Sequence, residues 1–308
     1  MDGARGDGGR GDGGSVAGAS AVGDRNVGSR IGGSPIAVLD LDELLSIARR
    51  AAQAGARVAL DWGLRASSLR IEEKAGPADL VSQADRDTER AICDVLRRLR
   101  PDDGVLGEEH GSVTGRSGVR WLVDPIDGTT SYLYGRSDWS VSVAAYASDG
   151  SRLLAGVVVE PMLHRITEAR AGGGTHDGGT RAGLLAQGEL SRALIEVNLG
   201  RPDQRPRAGD MVAALTPRVR DLRRSGSAAA ALAQVATGRA DAAWLPGLQP
   251  WDFAAGVLLV QEAGGVVGDL SGRSPDGTWP GSGDVLATCE ELFEPLRALL
   301  ATAYSVTG

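Results

Sequence analysis

The sequence predicts an α/β protein, α+β in its first part and α/β in its second. Three observations carry that prediction. Apolar residues recur at helical spacing over 41–62 and 86–99. Two runs of strand periodicity, Trp139–Ala147 and Leu153–Glu160, meet at an Asp149-Gly150 turn, which reads as a hairpin or meander. Beyond residue 190, strand-like and helix-like runs alternate. A chain of 308 residues can form one large domain or two smaller ones. Near that size, folding hides roughly 75% of the surface of the unfolded chain.

Residues 1–36 are rich in Gly with scattered Asp, Arg and Ser, too poor in apolar surface to offset chain entropy. A disordered tail is expected there, and its Arg5-Gly6-Asp7 and Arg10-Gly11-Asp12 triplets follow from the compositional bias. Order is expected from residue 37, with an N-terminal subdomain over 37–190 and a C-terminal one over 191–308. The first helix ends before Gly63, and Gly55 on its apolar stripe could admit a close neighbour. The second stops at Pro101. Val119–Asp124 reads as a buried strand, followed by the hairpin and a Gly-rich loop over 172–179. The second part then reads as strand Leu194–Leu199, a helix over 208–222, an Ala-rich helix Ser227–Thr237 and strand Ala240–Leu245. Helix Trp251–Ala263, strands Val266–Leu270 and Val285–Thr288, and a helix over 290–302 complete it.

The 33 basic and 40 acidic residues leave a net charge of −7, which argues against a nucleic-acid surface. A phosphorylated small molecule remains compatible, because a bound metal inverts the local field. No run has the apolar length for a membrane span or a secretory leader, so a cytoplasmic protein is expected. Cys93 and Cys289 are expected to be buried or half-buried thiols of a reducing compartment. His110, His164 and His176 form no close pair, which argues against a His/Cys zinc site. Lys74 is the only lysine. Its compact, mobile charge differs from that of the arginines used everywhere else.

The chemistry is concentrated in the run Trp121 to Thr130. An apolar strand ends in Asp124, Asp127 follows, and Gly128-Thr129-Thr130 opens a run of backbone N–H groups. Two acids at the mouth of a sheet beside such a turn can hold hard divalent cations and a phosphate together. Three further acidic segments accompany it: Lys74 to Asp85, Gly107-Glu108-Glu109, and Trp251-Asp252-Phe253-Ala254-Ala255-Gly256. Each has an ordinary explanation. Asp85 could cap a helix, Glu108-Glu109 could be a solvated pair, Asp252 could complement a helix dipole and Asp-Pro-Ile-Asp-Gly could be a plain turn. Their joint order is what singles them out.

That joint pattern resembles the inositol monophosphatase family of magnesium-dependent, lithium-sensitive phosphatases, over roughly Leu41 to the last helix. The resemblance implies the layered αβαβα sandwich of the inositol monophosphatase and fructose-bisphosphatase type. It implies a first Mg²⁺ on Glu108, Asp124 and the Ile126 carbonyl, and a second on Asp124, Asp127 and Asp252. Glu108 and waters would support a third, weaker ion. Gly128, Thr129 and Thr130 would offer N–H groups to the phosphate. Thr129, Asp85 and Glu108 would orient and deprotonate the attacking water, with Lys74 and Glu109 in the surrounding charge network. Ala228 would lie beside the substrate, in Arg224-Ser225-Gly226-Ser227-Ala228-Ala229. The family's ring-contacting glutamate is replaced by Leu245, which cannot accept a hydroxyl hydrogen bond.

The expected function is therefore hydrolysis of inositol monophosphate or a related small polyol phosphate, without nucleic-acid or membrane partners, and the resemblance implies a homodimer. The alternatives are a histidinol-phosphate phosphatase, a nucleotide 3′-phosphatase, a fructose-1,6-bisphosphatase, and a non-catalytic binding protein on the same fold.

Overall fold

The computed structural model describes residues 39–65, 71–76, 79–186 and 188–305, with the backbone alone for 71–76, 79–82 and 305. The expected tail over 1–36 falls outside the described residues. Helix α1 (Leu41–Gly63) begins at Asp40, whose Oδ1 accepts hydrogen bonds from the Asp42 and Glu43 N–H groups, each at 3.0 Å. This is the side-chain cap that a helix start favours. Strands β1 (Ile71–Gly76) and β2 (Asp79–Ser82) form an antiparallel pair, and β2 leads directly into α2 (Gln83–Leu99). The helices α1 and α2 pack together through Gly55, where a Cβ would stand 2.6 Å from Ile92 Cγ1.

The first sheet uses β3 (Gly104–Gly107), β4 (Gly111–Val113), β5 (Val119–Asp127), β6 (Ser140–Ala147), β7 (Leu153–Glu160), β8 (Arg165–Arg170), β9 (Gly174–Asp177) and β10 (Thr180–Arg181). A short helix, α3 (Thr129–Leu133), follows β5. The strand order is β10-β9-β8-β7-β6-β5-β3-β4, antiparallel except between β3 and β5. The second part adds β11 (Leu194–Val197), α4 (Arg205–Leu215), β12 (Asp221–Arg223), α5 (Ala228–Ala236), β13 (Ala242–Leu245) and α6 (Pro250–Glu262). Strands β14 (Val266–Asp269), β15 (Gly272–Arg273) and β16 (Val285–Thr288) and helix α7 (Glu290–Ser305) complete it. Its sheet has the order β12-β11-β13-β16-β14-β15.

Helices α1 and α2 pack on the first sheet, α5 and α6 fill the space between the sheets, and α4 and α7 pack together against the second. The result is the αβαβα layering that the sequence resemblance implied. The middle layer is apolar almost all round, as a helix pair covered on both sides must be: Leu232, Phe253, Leu258 and Leu259 are each no more than 1% exposed. Gly256 lets α6 touch α5, since a Cβ there would stand 2.5 Å from Leu232 Cβ. Both cysteines are free and buried, as expected. Among the described residues no helix is long and apolar enough to cross a membrane.

Three local readings differ from the structure. The loop expected over 172–179 contains strand β9, which pairs antiparallel with β8 and β10. The helix expected over 208–222 runs from Arg205 to Leu215, with Thr216 still in helical conformation as its cap, and stops there because Pro217 has no N–H to continue the ladder. The chain then forms the edge strand β12, parallel to β11. The strand expected to end at Asp124 continues to Asp127.

Candidate active site

The extension of β5 is what builds the site. Asp124 pairs with Ser142 and Asp127 with Ser140, so three steps along β5 match two along β6. In a regular strand, residues three apart face opposite sides. The extra residue at Pro125-Ile126 is a bulge, and it returns both carboxylates to one face. Proline is tolerated there because a bulge leaves a ladder donor unused. Beyond it, Gly128 turns at φ 96°, in the left-handed region that favours glycine, and starts α3. Gly128 and Thr129 are half-buried and Thr130 is exposed.

Each acid is held by its own element. Asp127 Oδ2 accepts hydrogen bonds from Ser227 Oγ and the Ala229 N–H, both at 2.6 Å, at the start of α5. Ser227 caps the same helix by accepting from the Ala230 N–H at 2.9 Å, and its Oγ lies 2.9 Å from Ser140 Oγ. Asp252 stands in the first turn of α6, where its Oδ2 accepts from the Gln249 N–H at 2.8 Å in a capping box. Asp85 is buried in the first turn of α2. The Thr129 hydroxyl lies 3.2 Å from the Ile126 carbonyl oxygen and 3.4 Å from Asp85 Oδ1, so its single proton has two acceptors. Lys74 lies on β1, and its side chain is outside the described part of the structure.

The loop carrying Glu108 and Glu109 is fixed by a residue that sequence reasoning missed. Glu89, on α2 and fully buried, accepts hydrogen bonds from the Glu109 N–H at 2.7 Å and the His110 N–H at 3.0 Å. Its Oε1 also lies 3.1 Å from His110 Nδ1. Gly107 leaves room for it, since a Cβ there would stand 2.1 Å from Glu89 Oε1. A signal was present. Glu89 follows Asp85 by one helical turn and sits on the inward stripe with Ile92, Cys93 and Leu96, where an unpaired acid has no place.

The carboxyl groups of these segments act on one another. Burial, then the charges of Glu108, Asp127, Asp252 and Asp85, hold the Asp124 carboxyl well above the ordinary aspartate value. Burial lifts Asp127 to about 6, although Ser227 and the Ala229 and Ala228 N–H groups pull it down. Burial, then Asp127 and Glu108, raise Asp252, opposed by the Gln249 N–H and by a hydrogen bond with the Asp124 carboxyl. Among the described residues, no three His, Cys, Asp or Glu side chains already stand in chelating positions. The acids are gathered within electrostatic reach and not closed around a centre. Asp124 Oδ1 is buried with no hydrogen-bond partner. A buried oxygen left bare among like charges fits a cation as its missing partner, because the all-oxygen donor set suits a hard divalent ion.

A cavity of about 160 Å³ opens beside Asp127, Ser227 and Ala228 and reaches Leu245 and Arg224. A carboxylate group with a bare buried oxygen, a glycine-opened turn and an adjoining cavity together can bind metal and a small phosphorylated molecule. A family model described as the inositol monophosphatase family matches residues 40–303.

The chain belongs to the inositol monophosphatase family. It is 39% identical over 235 residues to an inositol-1-monophosphatase of Mesorhizobium japonicum, covering 74% of this chain and 86% of that relative. It is 34% identical over 239 residues to a Pseudomonas aeruginosa protein named Nus factor SuhB, covering 75% and 87%. The solved structure of extragenic suppressor protein suhB from Bartonella henselae matches with a TM-score of 0.79 at 32% identity, over 84% of this chain and 98% of that one. Phosphatase activity is thus supported for the family as a whole, in which metal dependence is general.

Proposed function

We propose that the protein is a Mg²⁺-dependent phosphomonoesterase acting on inositol monophosphate or a related small polyol phosphate. The observation that carries the reading is the bare, buried Asp124 Oδ1 within a group of mutually repelling carboxylates. Glu108, Asp124 and the Ile126 carbonyl would hold one ion, and Asp124, Asp127 and Asp252 another, with Asp124 shared. Glu108 is also the natural support for a weaker third. When bound, such ions neutralise charge on the phosphoryl oxygens and lower the pKa of a bound water.

The chain's own groups do the rest. The N–H groups of Gly128, Thr129 and Thr130, at the start of α3, face the ester phosphate. The Thr129 hydroxyl orients the attacking water, and Asp85 and Glu108 accept its proton. The water oxygen bonds to phosphorus as the phosphorus–oxygen ester bond breaks. The leaving alcohol takes up a proton, and inorganic phosphate departs. Glu89 and Glu109 keep the Glu108 loop in place, Lys74 contributes a positive charge nearby, and Ala228 borders the leaving group. The functional unit is a homodimer by analogy with the family, and lithium inhibition is expected on the same ground.

Phosphate release from inositol 1-phosphate is expected in Mg²⁺ and not in EDTA. Asp124→Asn is expected to lower kcat by about a thousandfold, corresponding to the several kcal/mol that metal charge supplies. Hydrolysis that persists in EDTA or in the variant would remove the reading.

A second reading is a non-catalytic interaction role, favoured by the name of the Pseudomonas relative. Complementation separates the two. An Asp124→Asn gene that restores a deletion phenotype would favour interaction over catalysis.

A further inference from the structure

The cavity beside the carboxylates is uneven in its chemistry. Leu199, Leu245 and Leu248 give it an apolar lining, with Leu245 only 1% exposed at the end of β13. Its polar lining donates more than it accepts. Arg224 is exposed and has no ion-pair or hydrogen-bond partner among the described residues. Asn198 Oδ1 accepts from the Gly200 N–H at 2.8 Å, which leaves the Asn198 amide N–H groups to donate.

Asp127, the acid that lines the cavity, is engaged through Oδ2 by the Ser227 hydroxyl and the Ala229 N–H, and two acids that do not line it hold the adjoining backbone. Glu196 Oε2 takes the Ser225 N–H at 3.2 Å and the Ser225 hydroxyl at 2.7 Å. Asp138 Oδ2 takes the Gly226 N–H at 3.1 Å and is paired with Arg136. These two anchors also fix the backbone just after Arg224, so the guanidinium is presented from a held segment.

We propose that the preferred substrate is a phosphate monoester whose alcohol carries a second anionic group, either a carboxylate or another phosphate. Arg224 and the Asn198 amide hold that group, and a carbon face of the alcohol lies on Leu245 and Leu248. The proposal rests on the phosphatase reading and narrows it. A guanidinium binds carboxylate or phosphate through two parallel hydrogen bonds, which adds geometry to charge. The hydroxyl protons of a neutral polyol would instead find few acceptors, and each polar group left unpaired in a closed site weakens binding. An ammonium-bearing alcohol would face Arg224 with like charge.

The test uses the full chain in Mg²⁺ and esters matched in skeleton. Glycerol 3-phosphate, 3-phosphoglycerate and O-phosphoethanolamine present a neutral, carboxylate and ammonium group. Fructose 1-phosphate and fructose 1,6-bisphosphate separate a second phosphate from none. The expected result is a kcat/KM about tenfold or more higher for the carboxylate or bisphosphate member of a pair, carried mainly by KM. O-phosphoethanolamine is expected to be the poorest ester. Arg224→Gln should bring the paired ratios close to one. Leu245→Gln should shift preference toward glycerol 3-phosphate and inositol 1-phosphate, with thermal melts confirming that each variant is folded.

Equal rates within both pairs, or ratios that survive Arg224→Gln, would overturn the inference. p-Nitrophenyl phosphate keeps the two levels apart. Its hydrolysis without anion preference sinks this inference alone, whereas inertness toward every ester removes the phosphatase reading and this inference with it.

Discussion

At the scale of single residues, Asp124 carries opposite consequences for stability and function. Its carboxyl is buried among like charges, so Asp124→Asn removes repulsion from the metal-free protein. The variant is expected to melt about 2–4 °C higher in EDTA, the shift that roughly 1 kcal/mol makes in a large domain, while losing hydrolysis. Differential scanning calorimetry in EDTA checks it, and a lower melting temperature would mean that Asp124 holds the fold together instead. Glu89 is the complementary case. Glu89→Gln keeps one acceptor and turns an N–H toward the Glu109 or His110 N–H, which loosens the Glu108 loop. Isothermal titration should show Mg²⁺ binding weakened by about tenfold, as for other groups that orient a ligand from behind. Unchanged affinity would leave Glu89 a structural residue only. The carboxylates of the Trp121–Thr130 and Trp251–Gly256 runs were legible because their wording is specific. Glu89 was overlooked because an acid inside an arginine-rich amphipathic helix reads as part of its polar face until its burial is known.

At the scale of elements, strands and helices are used here as carriers with defined ends. The bulge in β5 puts Asp124 and Asp127 on one face, and the starts of α5 and α6 supply N–H groups to Asp127 and a rigid seat to Asp252. Ser227 belongs to two of these devices, since it caps α5 and donates to Asp127. Ser227→Ala should cost about 1 kcal/mol through the lost cap alone. It should also raise the Asp127 carboxyl further by removing a donor, and so weaken Mg²⁺ binding. Ser227→Thr, which keeps the hydroxyl, should restore both in calorimetry and titration. Periodicity showed the long elements, α1, α2, β6, β7 and α6. It could not show the bulge, because an alternating pattern that breaks at Asp-Pro-Ile-Asp looks like the end of a strand. Short strands such as β8 also escaped: Arg165-Ile166-Thr167-Glu168 places charged residues inside, where Glu168 pairs with Arg49 and Arg165 stands by Glu160.

At the scale of the whole molecule, the layers bring acids from distant parts of the chain together, and their mutual repulsion is borne by the rest of the fold. The alternation of strand and helix runs made the layers predictable; the depth to which they bury the acids was not, because burial depends on how the layers close. Asp127 rises from 3.8 to about 6, and burial raises Asp124 and Asp252 in the same direction. Between those two values the folded protein binds more protons than the unfolded chain. The stability contributed by these groups is therefore full below pH 3.8 and lost as pH rises through about 6. Exposed acids held below their ordinary value, such as Asp149 and Asp221, lose their contribution on the acid side of that window and do not mask it. In EDTA the melting temperature is expected to fall between about pH 4 and pH 6, and saturating Mg²⁺ should abolish the fall by binding only the folded form. A melting temperature that rises across that interval in EDTA would contradict the repulsion. The most direct measurement is an anomalous difference map from a crystal soaked in Mn²⁺, an oxygen-seeking stand-in for Mg²⁺. It should show manganese bonded to Asp124, with Asp127 and Asp252 completing one site and Glu108 and the Ile126 carbonyl another. A map with no peak touching Asp124, or with metal bound only elsewhere, would contradict the account.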